Sequence, residues 1–216
     1  MADVFSPTAA DRPGADAGAA WPSPRIAARG LYASSVTMVA SMVAISLFFG
    51  GAGAIWGPIN DLLVVATVLL LLPAVAVLPR LVGPVTARWF TLVSMAAAVG
   101  IVVIATGQLA LVAGLITLDT SFLTGGLGVV PVIAWVGATA VPALRVAAFG
   151  RAMAGWAIGL VTLIGITIVV LATLATDTPT LTGVLGLPLM VTLLGWLLST
   201  ARAIERAARS QPAGTS

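Results

Sequence analysis

The sequence predicts an all-α, polytopic membrane bundle of six transmembrane helices, arranged as three tandem helical hairpins. Three observations predict it. First, 60% of the 216 residues are hydrophobic and only 8% are charged, against about 25% charged in soluble domains. A water-soluble fold of this size has nowhere to hide so much apolar surface. Second, the few charges bound long uncharged intervals close to or above the ~20 residues a helix needs to cross a bilayer. Third, the signs of those charges alternate along the chain.

Residues 1–24 are rich in Ala, Pro, Gly, Ser and Asp, with one tryptophan. They carry too little apolar surface to order themselves and read as a disordered cytoplasmic tail. The tail is acidic and long, unlike the basic start of a signal peptide. From Arg29 the charges act as punctuation. Arg29 to Asp61 encloses 31 uncharged residues, Asp61 to Arg80 encloses 18, and Arg88 to Asp119 encloses 30. Asp119 to Arg145 and Arg151 to Asp177 each enclose 25, and Asp177 to Arg202 encloses 24. These intervals predict spans over 31–56, 62–78, 89–118, 125–144, 153–176 and 183–200, within a membrane domain at 25–201. The third interval is longer than a crossing requires, so a tilted helix or an interfacial segment is expected there. Residues 202–216 then form a short helix end and tail. In it Arg202, Glu205, Arg206 and Arg209 stand at spacings that permit ion pairs.

Arg25 and Arg29 precede the first span, Arg80 and Arg88 separate the second from the third, and Arg145 and Arg151 separate the fourth from the fifth. Arg202, Arg206 and Arg209 follow the sixth, while the three opposite turns hold Asp61, Asp119 and Asp177 and no arginine. Lys and Arg concentrate in cytoplasmic loops. The expectation is therefore a multi-pass protein with both termini in the cytoplasm. One side carries ten arginines against Asp3, Asp11, Asp16 and Glu205, net +6, and the other carries −3.

The same charges reveal a repeat. DTSFLTGGLG begins at Asp119 and DTPTLTGVLG at Asp177, with seven of ten positions identical. Asp61, Asp119 and Asp177 are each 58 apart, and Arg88, Arg145 and Arg202 are each 57 apart. The unit is an outgoing span, an acidic turn and a returning span that bears a proline: Pro73, then Pro131 and Pro142, then Pro188. Pro73, Pro131 and Pro188 are candidate kinks, because proline removes a backbone hydrogen bond. Thr124 and Thr182 each precede a glycine and an apolar run, where an N-cap would satisfy helix-end amides. Asp119 and Asp177 then lie near the positive ends of the helices they precede.

The chemistry available is sparse. There are no cysteines and no histidines, which removes thiol nucleophiles, Cys or His metal sites and the usual general base. No catalytic, cofactor-binding or metal-ligating residue is expected, and the scattered arginines do not make a nucleic-acid footprint. Gln108 is the amide placed well inside a span, suited to an interhelical hydrogen bond or a polar pathway. Asn60 and Asp61 share a turn, and with Asp119 and Asp177 could form a ring of carboxylates at an outer mouth. Gly53–Gly57 and Gly155–Gly159 read as GxxxG packing motifs, and Ala96 and Gly100 as a further small pair. Trp56, Trp89 and Trp156 fall near span ends as interfacial anchors, and Trp135 and Trp196 fall deeper, as packing residues.

All ten basic residues are arginine, and residues 60–80, NDLLVVATVLLLLPAVAVLPR, head an apolar region that resembles the uncharacterised small six-span integral membrane proteins of GC-rich bacteria. That resemblance implies a location in the bacterial plasma membrane and brings no activity. The expected partners are the lipid bilayer and a membrane-protein partner or a second copy. Two functions follow. One is a non-enzymatic scaffold, accessory subunit or regulator. The other is a small transporter or channel for an uncharged or lipophilic solute. A hydrated path lined by Thr67, Thr106, Gln108, Thr162 and Thr192 would favour transport. A dry interior with an apolar outer groove would favour the scaffold.

Overall fold

A computed structural model describes residues 22–82, 84–147, 149–174 and 179–210. Among these there is no strand. The helices are α1 (Pro24–Phe49), α2 (Trp56–Leu69), α3 (Leu72–Leu81), α4 (Pro84–Val112), α5 (Leu118–Ala138), α6 (Ala140–Arg145), α7 (Gly150–Leu174) and α8 (Pro179–Ser210). Six stretches are long and apolar enough to cross a membrane. Spans two and four are each built from two helices end to end, α2 with α3 and α5 with α6. Residues 1–21 of the tail expected at 1–24 and the last six residues lie outside the described residues, as does Asp177.

Helix ends do not coincide with the span ends drawn between charges, and at the first and third spans the difference has a local cause. The helix of span one starts at Pro24, ahead of the expected crossing at residue 31. Ser23 is extended and its Oγ accepts from the Ile26 amide at 3.4 Å, with proline in the first turn. A capped start with proline nucleates a helix whatever charge follows, so Arg25 and Arg29 lie inside α1. The helix stops at Phe49, before a turn in which Gly51 and Gly53 take positive φ. Gly53–Gly57 therefore bridges a loop and the start of α2 and is not a helical packing motif. The long third interval is a helix followed by a loop. α4 ends at Val112, Gly114 turns the chain at φ 70°, and α5 begins at Leu118.

The decapeptide at Asp119 is helix, not turn. Thr117 is the N-cap of α5, and its side chain accepts from the Thr120 amide at 3.3 Å. Thr124 lies about two turns further along, and its hydroxyl is directed back to the carbonyls of Thr120 and Ser121. The capping role expected of Thr124 thus belongs to Thr117, which has the extended backbone a cap requires. Asp119 sits in the first turn of α5, where the helix dipole favours an anion.

Each span packs against its neighbours in sequence, and α8 packs against α1, so the six spans close into a ring. The deepest packing crosses it. Trp135 and Trp196 are both fully buried and meet edge to face at 5.4 Å, and the Trp196 indole donates to the Thr139 hydroxyl at 3.1 Å.

Two of the returning spans share a device. At the α2–α3 break, just before Pro73, the Leu70 carbonyl faces Gly30 of α1, where an added Cβ would lie 2.6 Å from that oxygen. In α5 the Gly128 carbonyl, three residues before Pro131, faces Gly100 of α4, where a Cβ would collide with it and with the proline ring. Proline disrupts the bonding of the turn before it, and a glycine opposite gives the displaced carbonyl room. Neither Pro131 nor Pro188 interrupts its helix. Of the expected small-residue pairs, Gly100 makes a close approach, while Ala96 is exposed and Gly155 faces open space.

Candidate functional site

The most connected polar group is a seam between α1 and α2. Ser34, Thr37 and Ser41 recur at three- and four-residue steps on one face of α1. Thr67 and Asn60 stand two turns apart on α2. The Ser34 hydroxyl donates to the Thr67 carbonyl at 3.0 Å, the Thr37 and Thr67 hydroxyls are 2.8 Å apart, and Ser41 donates to the Asn60 carbonyl oxygen at 2.6 Å. The Asn60 amide nitrogen then reaches the Asp61 carboxylate at 3.4 Å. Sequence reading picked out Asn60, Asp61 and Thr67 and missed the α1 half. The signal was present as the hydroxyl periodicity of SSVTMVAS.

The other expected site residues that are described do not join this seam. Asp119 is exposed on the first turn of α5. Among the described residues no three carboxylates gather. Gln108 is half-buried in α4, and its side-chain oxygen is enclosed with no hydrogen-bond partner. Thr106 and Thr162 are exposed on the outside of the bundle, whereas Thr192 is buried and donates to the Pro188 carbonyl at 2.7 Å. The five residues proposed to line a path therefore point to different places.

A cavity of about 730 Å³ lies between α3 and α4. Pro73, Ala76 and Arg80 form one wall, and Thr91, Ser94 and Met95 the other. Ala76, Arg80, Thr91 and Met95 are exposed, so it opens on the outer surface of the ring. Its volume falls in the range of small-molecule sites, about 300–1,000 Å³. The enclosed Ser94 hydroxyl has no partner. The break that Pro73 helps create thus borders the cavity.

An all-α ring of six apolar helices of spanning length is a multi-pass membrane protein. No protein-family model matches the chain, and neither a curated protein nor a solved structure matches it.

Proposed function

We propose that the chain is a non-enzymatic membrane scaffold, accessory subunit or regulator, held in the plasma membrane of a GC-rich bacterium with both termini in the cytoplasm. One observation carries the reading: apart from the enclosed, unpartnered oxygens of Ser94, Gln108 and Thr200, the hydroxyls expected to line a path are bonded to a neighbouring span, bonded to their own helix or turned outward, while the large cavity opens on the outer surface of the ring. A solute path needs polar groups converging on one lumen. Here Thr67 is tied to Thr37, Thr192 to its own helix, and Thr106 and Thr162 face outward. The orientation rests on the arginines, all of which fall at one end of the spans or in the terminal segments. Closure of the ring in sequence order, and the shared glycine–carbonyl–proline packing of the first two hairpins, support a tandem origin for the units.

Transport of an uncharged or lipophilic solute is the second reading, and the enclosed, unpartnered Gln108 oxygen favours it, because water would satisfy that group. The two readings separate on one measurement. Gln108→Cys in this cysteine-free chain is exposed to a small membrane-impermeant thiol reagent in intact cells, beside Leu115→Cys, whose parent residue is 77% exposed in the α4–α5 loop. Labelling at 115 with none at 108 is expected. Labelling at both sites would replace the scaffold with a water-filled pathway.

A further inference from the structure

The seam that closes the ring, α1 against α8, carries two cavities in line. At the arginine end a cleft of about 380 Å³ is lined by Arg25 and Arg29 of α1 and by Glu205, Ala208 and Arg209 of α8. Further along the same two helices runs a groove of about 550 Å³, between Tyr32, Val36 and Val39 on one side and Leu194 and Leu198 on the other. Arg25, Arg29, Tyr32, Val36 and Val39 are spaced by four, three, four and three residues, which keeps them on one face of α1. Leu194, Leu198, Glu205 and Ala208 likewise share one face of α8. The cleft and the groove are therefore two parts of one furrow.

We infer that this furrow binds one anionic phospholipid from the leaflet at the arginine end, its phosphodiester in the cleft and an acyl chain in the groove. Charge argues for the headgroup. Three guanidiniums face one carboxylate, and Glu205 makes only a long, exposed contact with Arg209 at 3.9 Å. Arg25 and Arg29 have no carboxylate partner among the described residues. Basic pockets between spans at a cytoplasmic surface suit such headgroups. Length argues for the chain. Arg29 to Ala40, where the groove ends on α1, is eleven residues, or about 16 Å at the helical rise. Glu205 to Leu194 on α8 is again eleven. Half of the bilayer's hydrocarbon core is about 15 Å, so the furrow, from Arg29 in the cleft to the far end of the groove, runs the depth of one leaflet. Its wall is apolar because the Ser35 hydroxyl is turned back onto the Leu31 carbonyl at 2.9 Å. Tyr32 stands at the junction, where interfacial aromatics belong.

The bound lipid would bridge the first and last spans of the ring, and this holds for either function proposed above. Native mass spectrometry of the purified full chain, titrated with phosphatidylglycerol or with phosphatidylcholine of matched acyl chains, tests it. One phosphatidylglycerol is expected to bind ahead of all others. Arg25→Gln with Arg29→Gln should weaken it about twenty-five-fold, at roughly five-fold for each guanidinium near a charged surface. Arg80→Gln, at the α3–α4 cavity, should not change it. Val36→Trp, at a position 69% exposed, fills the groove without touching the charges and should also weaken binding, with helicity by circular dichroism unchanged. Equal binding of the two lipids would overturn the proposal, as would a double variant that binds normally. Displacement of phosphatidylglycerol by glycerol phosphate at equal concentration would also overturn it, since the site would then read the free anion and not the lipid.

Discussion

The first two hairpins share one plan and are held by different physics. α1 meets α2 through a ladder of hydroxyls and an amide, Ser34, Thr37 and Ser41 against Thr67 and Asn60. α4 meets α5 through missing side chains. Gly100 lies against the Gly128 carbonyl, and a Cβ at Gly107 would stand 2.9 Å from the Thr124 hydroxyl. Lipid tails are as apolar as leucine, so burial gives no drive for two spans to associate. What remains is close packing or hydrogen bonding: both hairpins set a glycine against a carbonyl, at Gly30 and at Gly100, and the first adds the hydrogen-bond ladder. In α5 the decapeptide's Thr124 and Gly128 lie on the face that α4 approaches, whereas Gly186, the last glycine of the second copy, faces open space.

The comparison breaks most visibly at Gly100. A Cβ there meets backbone, which cannot swing aside as a side chain would. Gly100→Val should destabilise the protein by about 3 kcal/mol, the upper end of overpacking costs, read as a fall in unfolding midpoint in mixed micelles. Gly125→Ala, in the same decapeptide as Gly128 and facing open space, should leave the midpoint unchanged. If both variants behave alike, the close approach is not what holds α4 to α5.

How much of this the sequence disclosed depends on the range of the interaction. Charge alternation is local and nearly unopposed by other signals, so the number of spans could be read directly. Their ends could not, because counting between charges assumes that arginine lies outside the helix. Arg25 and Arg29 lie inside α1, since a long side chain can carry its charge to water from within a helix. Thr117 and Thr124 are chemically equivalent caps on paper. Only backbone conformation, extended at Thr117, separates them. The α1 hydroxyls were overlooked because serine and threonine commonly bond their own helix, as Ser35 does, and give no sign of a partner. The lipid furrow joins residues some 180 positions apart, Arg29 and Arg209, which charge reading assigns only to topology.

A smaller effect sharpens the reading of the second hairpin. Thr117→Ala removes the acceptor of the Thr120 amide and should cost about 1 kcal/mol, typical of a lost N-cap. Thr124→Ala removes a hydroxyl bonded only within its own helix, so it should be near neutral. The same midpoint measurement checks both. A larger loss at Thr124 would return the cap to the position the sequence indicated.

The smallest expected effect tests the first hairpin's distinguishing feature. Ser41 and Asn60 are 2.6 Å apart across α1 and α2, yet hydrogen bonds between spans average only about 0.6 kcal/mol by double-mutant cycle, reaching about 1.7. The reason is that the separated helices find other partners for the same groups. Ser41 can bond its own helix, as Ser46 does with the Met42 carbonyl at 2.7 Å. Asn60 has less choice, because its amide nitrogen is already directed to Asp61. A cycle of Ser41→Ala, Asn60→Leu and the double variant should therefore give a coupling near the average, with the single change at Ser41 costing more than its coupling because it strands the Asn60 oxygen. A coupling indistinguishable from zero would mean that the seam between α1 and α2 is held by packing after all. The two hairpins would then differ in composition and not in mechanism.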